Sequence, residues 1–319
     1  MSLIEQAAKR LEQLRQAGVE LPDDKPAPEV PAQAPVEKAV EPASREPVSG
    51  SGAPVPRPIE AAPPSTTAQS KTKRVVLDLD AMAASGLLVP SQSRNLLANE
   101  FRVIKRPLIA NAMGKGSTPI PNGNLIMVTS ALPGEGKSFT AVNLAISIAM
   151  ELDNTVMLVD ADVARPTILN MVGLPPAEGL LDVVKENSLD ISRVLLHTNI
   201  EKLSILPSGT PPPRATELLA SDAMIRLLDD MAKRYPDRII IFDSPPLLLT
   251  TEARALASHM GQIVVVVQSG ETTQAAVKEA VSTIESCPLK MMLLNQATQS
   301  ASDRYGYGYA YGYGYGNEK

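Results

Sequence analysis

From Asn124 onward, short apolar runs alternate with longer amphipathic ones. The apolar runs are LIMVTS (125–130), TVMLVD (155–160), RIIIFD (238–243), QIVVVVQ (262–268) and LKMMLLN (289–295). A strand with one wet face alternates apolar and polar residues. These runs do not, so they predict strands covered on both faces. Helical spacing appears between them, as in SFTAVNLAISIAMEL (138–152). The alternation predicts an α/β fold, a mostly parallel sheet flanked by helices.

Upstream the pattern changes. RVVLDLDAM, from Arg74, reads as a short extended lead-in. SQSRNLLANEFRVIKRPLI (91–109) predicts a helix with Leu96, Leu97, Phe101 and Ile104 on one side. Residues 2–19 place Leu3, Ile4, Ala7, Ala8, Leu11 and Leu14 at helical spacing, with Gly18 and Pro22 as the stop. So short a helix is marginal alone; it either docks on a partner or membrane surface or frays in water. Residues 21–72 hold 12 of the chain's 28 prolines among Ala, Glu, Ser and Gly. Such a segment buries too little apolar area to offset its ordering entropy and reads as a disordered linker. The expected organisation is an amphipathic helix (1–20), a Pro-rich linker (21–72), an α/β domain (73–300) and a flexible tail (301–319).

Composition narrows the function classes. A net charge of −5 gives no global basic field, so no nucleic-acid partner is expected. The single cysteine, Cys287, suits a reducing cytoplasm and reads as a small buried residue. No apolar run approaches the roughly 20 residues of a membrane span. Lys9, Arg10 and Arg15 interrupt any signal core near the N-terminus. The expectation is a cytoplasmic protein, held at a membrane only through a partner.

The first strand runs into ALPGEGKS (131–138) and then a helix, the context a phosphate-binding loop requires. Gly134 and Gly136 let the backbone turn its N–H groups inward. The helix start near Lys137 adds a positive end. Lys137 reaches the β- and γ-phosphates of a nucleotide, and Ser138 offers its hydroxyl to Mg2+. The chain is thus read as a P-loop NTPase, with Ala131 where the motif's first glycine is usual. Asp160 and Asp162 end the second run and Asp243 a later one; in an open α/β sheet, ligands sit beyond those strand ends. Mg2+ prefers hard oxygen ligands, so the metal set is Ser138, Asp160, Asp162 and Asp243. A strand-end Asp is also a common helix N-cap. The nucleotide-contacting set is Gly134, Glu135, Gly136, Lys137, Ser138 and Phe139, with Asn295 either on adenine or a plain strand-end cap.

ALPGEGKS, MLVDADVARP (157–166) and IIIFDSPP (239–246) resemble the Walker A, Walker A′ and Walker B motifs of bacterial tyrosine kinases. ILPSGTPPPRATELL (205–219) is similar to that family's segment before its next helix. The resemblance spans about residues 91–319. A weaker one links the N-terminal helix and linker to cytoplasmic autokinases of exosortase-type exopolysaccharide systems. The resemblance to the bacterial tyrosine kinases implies ATP and Mg2+ as cofactors, Lys137, Asp160 and Asp162 as catalytic residues, and Asp243 in the metal shell. It also implies autophosphorylation between neighbours in a ring and activation by a membrane-embedded polysaccharide co-polymerase. A tyrosine phosphatase as counterpart completes what it implies. Two departures stand out. The family's Arg two residues after the second Asp is Ala164 here, with Arg165 next. Its E-x-x-R-x-x-R ring helix is matched by Asn99, Arg102 and Lys105, with Glu100 one place off.

The tail supplies acceptors. Six of the seven tyrosines, Tyr305, Tyr307, Tyr309, Tyr311, Tyr313 and Tyr315, alternate with small residues. Glycine weakens strands, so the alternation reads as a flexible substrate segment. A dozen extended residues reach about 40 Å, enough for a neighbour's site. A tyrosine hydroxyl, with an ordinary pKa of about 10, needs a base; Asp160 is the candidate and Asp162 the second. The competing reading is a partition- or septum-placement-type ATPase. Leu132 and Pro133 occupy the region where that class carries an extra lysine, and that class gives no reason for a tyrosine tail. Few basic residues flank the tail for nucleic-acid stacking, and the H-R-D and D-F-G signatures of eukaryotic kinases are absent.

Overall fold

The computed structural model describes residues 73–297, apart from 117, 187–189, 213, 235 and 236. The expected helix at 1–20, the linker at 21–72 and the six tail tyrosines lie outside the described residues.

Eight strands form one sheet in the order β1-β4-β5-β3-β6-β2-β7-β8. They are β1 (Lys73–Arg74), β2 (Leu125–Ser130), β3 (Thr155–Asp160), β4 (Leu196–His197), β5 (Leu203–Leu206), β6 (Arg238–Asp243), β7 (Gln262–Gln268) and β8 (Leu289–Asn295). All pairings are parallel except β4 with β5. The five apolar runs coincide with β2, β3, β6, β7 and β8.

Alternate residues of the central strands feed two cores. Leu125, Met127, Met157, Val159, Ile240 and Phe242 face one side, where the helices Asp222–Arg234, Thr251–Ala257 and Gln274–Ser282 pack. Ile126, Val128, Val156, Leu158, Ile239 and Ile241 face the other, against the helices Leu96–Ala112 and Lys137–Ala149. Each such side chain contributes about 1.5–3 kcal/mol when fully buried, which holds the strand ends in register. The central helix Lys137–Ala149 is buried at every position from Thr140 onward. Its Asn143 accepts from Leu88 N–H at 2.6 Å and donates to Phe139 O at 2.9 Å, so a buried amide fixes the segment laid over it.

Three expectations change. β8 is not covered on both faces: it is the last strand of the sheet, and Met292 and Leu294 remain 61% and 63% exposed. The lead-in after Arg74 is extended only briefly before a helix begins at Leu79, capped by the Asp78 carboxylate on the N–H groups of Asp80 and Ala81. The helix expected from 91 starts at Leu96, where Asn95 accepts from Ala98 N–H at 2.7 Å, and the preceding Pro90–Gln92 forms a 3-10 turn. Cys287 is buried, as expected.

Candidate functional site

The phosphate loop joins β2 to the helix Lys137–Ala149 above the carboxyl ends of β2, β3 and β6. Gly134 and Gly136 have φ of 86° and 90°, the left-handed region open chiefly to glycine. Pairing of β3 with β6 sets Asp160 beside Asp243 in register, and pairing of β2 with β6 sets Asp243 beside Val128, two residues before the end of β2.

Lys137 Nζ lies 2.7 Å from Asp162 Oδ2, 3.9 Å from Asp243 Oδ1 and 3.3 Å from Ser138 Oγ. One ammonium and three acids therefore share a water-poor site in which Asp160, Asp162 and Asp243 are at most 4% exposed. Asp162 also accepts Arg165 N–H at 3.2 Å through Oδ1. Arg165, the residue beside the departed family arginine, exposes its side chain.

Asp160 divides its two oxygens. Oδ2 accepts the N–H groups of Thr167 and Ile168, each at 3.1 Å, at the start of the short helix Ile168–Met171. Oδ1 is buried without a hydrogen-bond partner, as are both oxygens of Asp243. Burial pushes Asp160 up to about 7, helped by the Asp243 charge and opposed by the Ile168 N–H. Burial likewise pushes Asp243 up to about 6, against the pull of Lys137 and the nearby Ser138 hydroxyl. The two partnerless oxygens of Asp243 near the Ser138 hydroxyl fit a divalent cation such as Mg2+, which also takes water and phosphate oxygens, while Asp160 Oδ1 stays free beside them. Among the described residues no group of three or more acidic, His or Cys side chains is placed to hold a metal ion by itself.

Other loop residues serve the loop itself. Glu135 is 1% exposed, and its carboxylate accepts from Leu132 N–H at 2.6 Å, Gln268 N–H at 3.3 Å and the Thr272 hydroxyl. Phe139 is half-buried and packs against the core on the face covered by the helices Leu96–Ala112 and Lys137–Ala149. Asn295 donates its amide to Glu135 O at 2.9 Å. Nothing in the apolar pattern marks the Glu135 strut; its signal is an acid between the two glycines of the turn, buried although Leu132, Pro133 and Gly134 are exposed.

All three ring-motif positions of the helix Leu96–Ala112 make contacts within the chain. Lys105 is 4% exposed and reaches Glu151 at 2.6 Å and Ser147 O at 2.5 Å. Arg102 donates to Asn99 Oδ1 and Ser93 O. Val103, Leu96 and Asn99 stay exposed on the outer side.

Sequence comparisons place this site in a class. Residues 123–297 match the AAA domain family (AAA_31), more than half of the chain, so the chain is a member of that family. Tyrosine-protein kinase YwqD of Bacillus subtilis (strain 168) is 34% identical over 183 residues, 57% of this chain and 76% of YwqD. Tyrosine-protein kinase ptk of Acinetobacter johnsonii is 30% identical over 181 residues, and there the match spans only 24% of the longer relative. Among solved structures, the chimerical protein CapA2B2 superposes with a TM-score of 0.57 at 28% identity, covering 72% of this chain and 94% of that one. The kinase domain of Escherichia coli tyrosine kinase ETK gives 0.51 at 29% identity, covering 60% and 73%. The chain belongs to the bacterial tyrosine-protein kinases. Among the described residues, no helix is long and apolar enough to cross a membrane.

Proposed function

We propose that the chain transfers the terminal phosphoryl group of ATP to tyrosines of its own C-terminal segment, Tyr305, Tyr307, Tyr309, Tyr311, Tyr313 and Tyr315, in a neighbouring copy. The observation that carries this reading is the placement of Lys137 between Asp162 and Asp243, with a partnerless Asp160 oxygen in the same crevice.

The loop N–H groups and the start of the helix Lys137–Ala149 hold the β- and γ-phosphates. Lys137 leaves Asp162 for those phosphates and offsets charge as it builds on the β–γ bridging oxygen. The phenol oxygen attacks the γ-phosphorus in line; the bond to the bridging oxygen breaks and ADP departs. Asp160 Oδ1 takes the phenolic proton, a transfer suited to a carboxylate whose pKa lies at about 7. Ser138, Asp243 and Asp162 are the residues that would hold Mg2+, whose charge lowers the cost of bringing an anion to the γ-phosphate.

In this reading the partner is a membrane-embedded polysaccharide co-polymerase, the assembly is a ring, a tyrosine phosphatase reverses the mark, and exopolysaccharide synthesis or export is the process regulated. Six phosphates add on the order of −10 to one short tail, which drives neighbouring copies apart. Native mass measured before and after full phosphorylation tests that coupling: an unchanged oligomer removes it.

Incubation with Mg-ATP followed by mass mapping, beside Lys137→Ala, tests the reaction. The expected result is several phosphates between Tyr305 and Tyr315 in the wild type and none in the variant. Release of phosphate to water with no label on protein would instead mark a partition-type ATPase.

A further inference from the structure

β7 and β8 end side by side, Gln268 in register with Asn295, and Ser269 N–H donates to Asn295 O at 2.9 Å. From these ends the phosphate loop is gripped from outside. Asn295 Nδ2 donates to Glu135 O at 2.9 Å, and Gln296 Nε2 donates to Gly134 O at 3.1 Å. The Glu135 carboxylate returns the contact by accepting Gln268 N–H. The fit around Asn295 is close: a Cβ on Gly136 would overlap its amide nitrogen.

Peptide planarity gives this grip a consequence. In a trans peptide the carbonyl of one residue and the N–H of the next point in opposite directions. Holding the carbonyls of Gly134 and Glu135 outward therefore aims the N–H groups of Glu135 and Gly136 inward. Those are the donors an anion-binding loop must present. A loop preset in this way has less conformational entropy to lose when a polyphosphate arrives.

We propose that Asn295 and Gln296 are positioning residues that preset the phosphate loop from the sheet edge, and that they act on polyphosphate rather than on the base. The proposal rests on the reading of this loop as the triphosphate site, and it replaces the adenine contact considered for Asn295.

The test measures binding of Mg-ATP, Mg-GTP and magnesium tripolyphosphate to the full chain and to Asn295→Ala, Asn295→Asp and Gln296→Ala. Both positions are at least partly exposed, so the variants are expected to fold, and melting temperature checks this. Each Ala variant should weaken ATP, GTP and tripolyphosphate by the same factor, about five-fold, the weight of one ordinary hydrogen bond. KM for ATP should rise with kcat at saturation within about two-fold. Asn295→Asp keeps the shape but loses the donor, so it should do no better than Ala. A loss confined to ATP would assign Asn295 to the base and overturn the proposal, as would unchanged binding in all variants. A wild type that binds none of the three probes would instead overturn the phosphate-site reading beneath it.

Discussion

Lys137 Nζ sits 2.7 Å from Asp162 Oδ2, so before any nucleotide arrives the ammonium is held by the chain's own carboxylate. Removing the lysine leaves Asp160, Asp162 and Asp243 crowded in a buried site with no cation between them. Lys137→Met should abolish transfer and lower the melting temperature by several degrees at pH 8 without metal. The deficit should shrink at pH 5.5, where the raised acids Asp160 and Asp243 accept protons. An equal deficit at both pH values, read by scanning calorimetry, would contradict this account of the charge cluster.

The wild-type site has its own pH dependence. Both raised acids bind protons more tightly in the folded chain than in the unfolded one. Their favourable contribution is complete below the ordinary carboxylate value of about 4 and is lost as pH rises through about 6 for Asp243 and about 7 for Asp160. Without metal or nucleotide, melting temperature should fall between pH 5 and pH 8. Asp243→Asn should flatten that slope and stabilise the apo-protein at pH 8 while abolishing transfer. A steeper slope in the variant would refute the assignment.

Asp160 as base predicts a rate profile. Second-order transfer, measured as kcat/KM, should decline as pH drops below about 7, because the protonated carboxyl no longer accepts from the phenol. Asp160→Asn should cost at least about 100-fold and remove that limb, since a positioned base contributes 10²–10⁴-fold. Its backbone-accepting oxygen persists as the amide carbonyl, so the start of the helix Ile168–Met171 should survive, which circular dichroism can check.

Lys105 offers a test away from the chemistry. It is buried and joined to Ser147 O and Glu151, so Lys105→Ala should cost about 1–3 kcal/mol in denaturant unfolding. Glu151→Ala should cost less, because that carboxylate is 45% exposed. The reverse order would mean the pair matters chiefly through the glutamate.

Much of this was legible in the chain's pattern. Apolar runs of six or seven residues bounded by loops suit strands of a covered parallel sheet, and all five form strands, although β8 leaves one face exposed. β4 and β5 were not legible. LSIL at Leu203–Leu206 is too short to stand out, and β4 has two residues held by pairing rather than by its own periodicity. The Asp78 cap that starts a helix at Leu79 was present in the sequence, but the neighbouring valines favoured an extended reading. The strand-end acids were legible because loop and strand ends must meet in this fold. The inward turn of Lys105 was not, since a lysine on an amphipathic helix normally stays in water. Nor was the division of Asp160, where one oxygen caps a helix start and the other is buried without a partner.

The resting crevice also has a sign. At pH 8 it carries three ionised carboxyl groups against one ammonium, with little water between them to screen the field. A bare triphosphate approaching that wall meets its own polarity. A divalent escort cancels about half of a nucleoside triphosphate's charge, so the escorted anion is expected to enter more readily than the bare one.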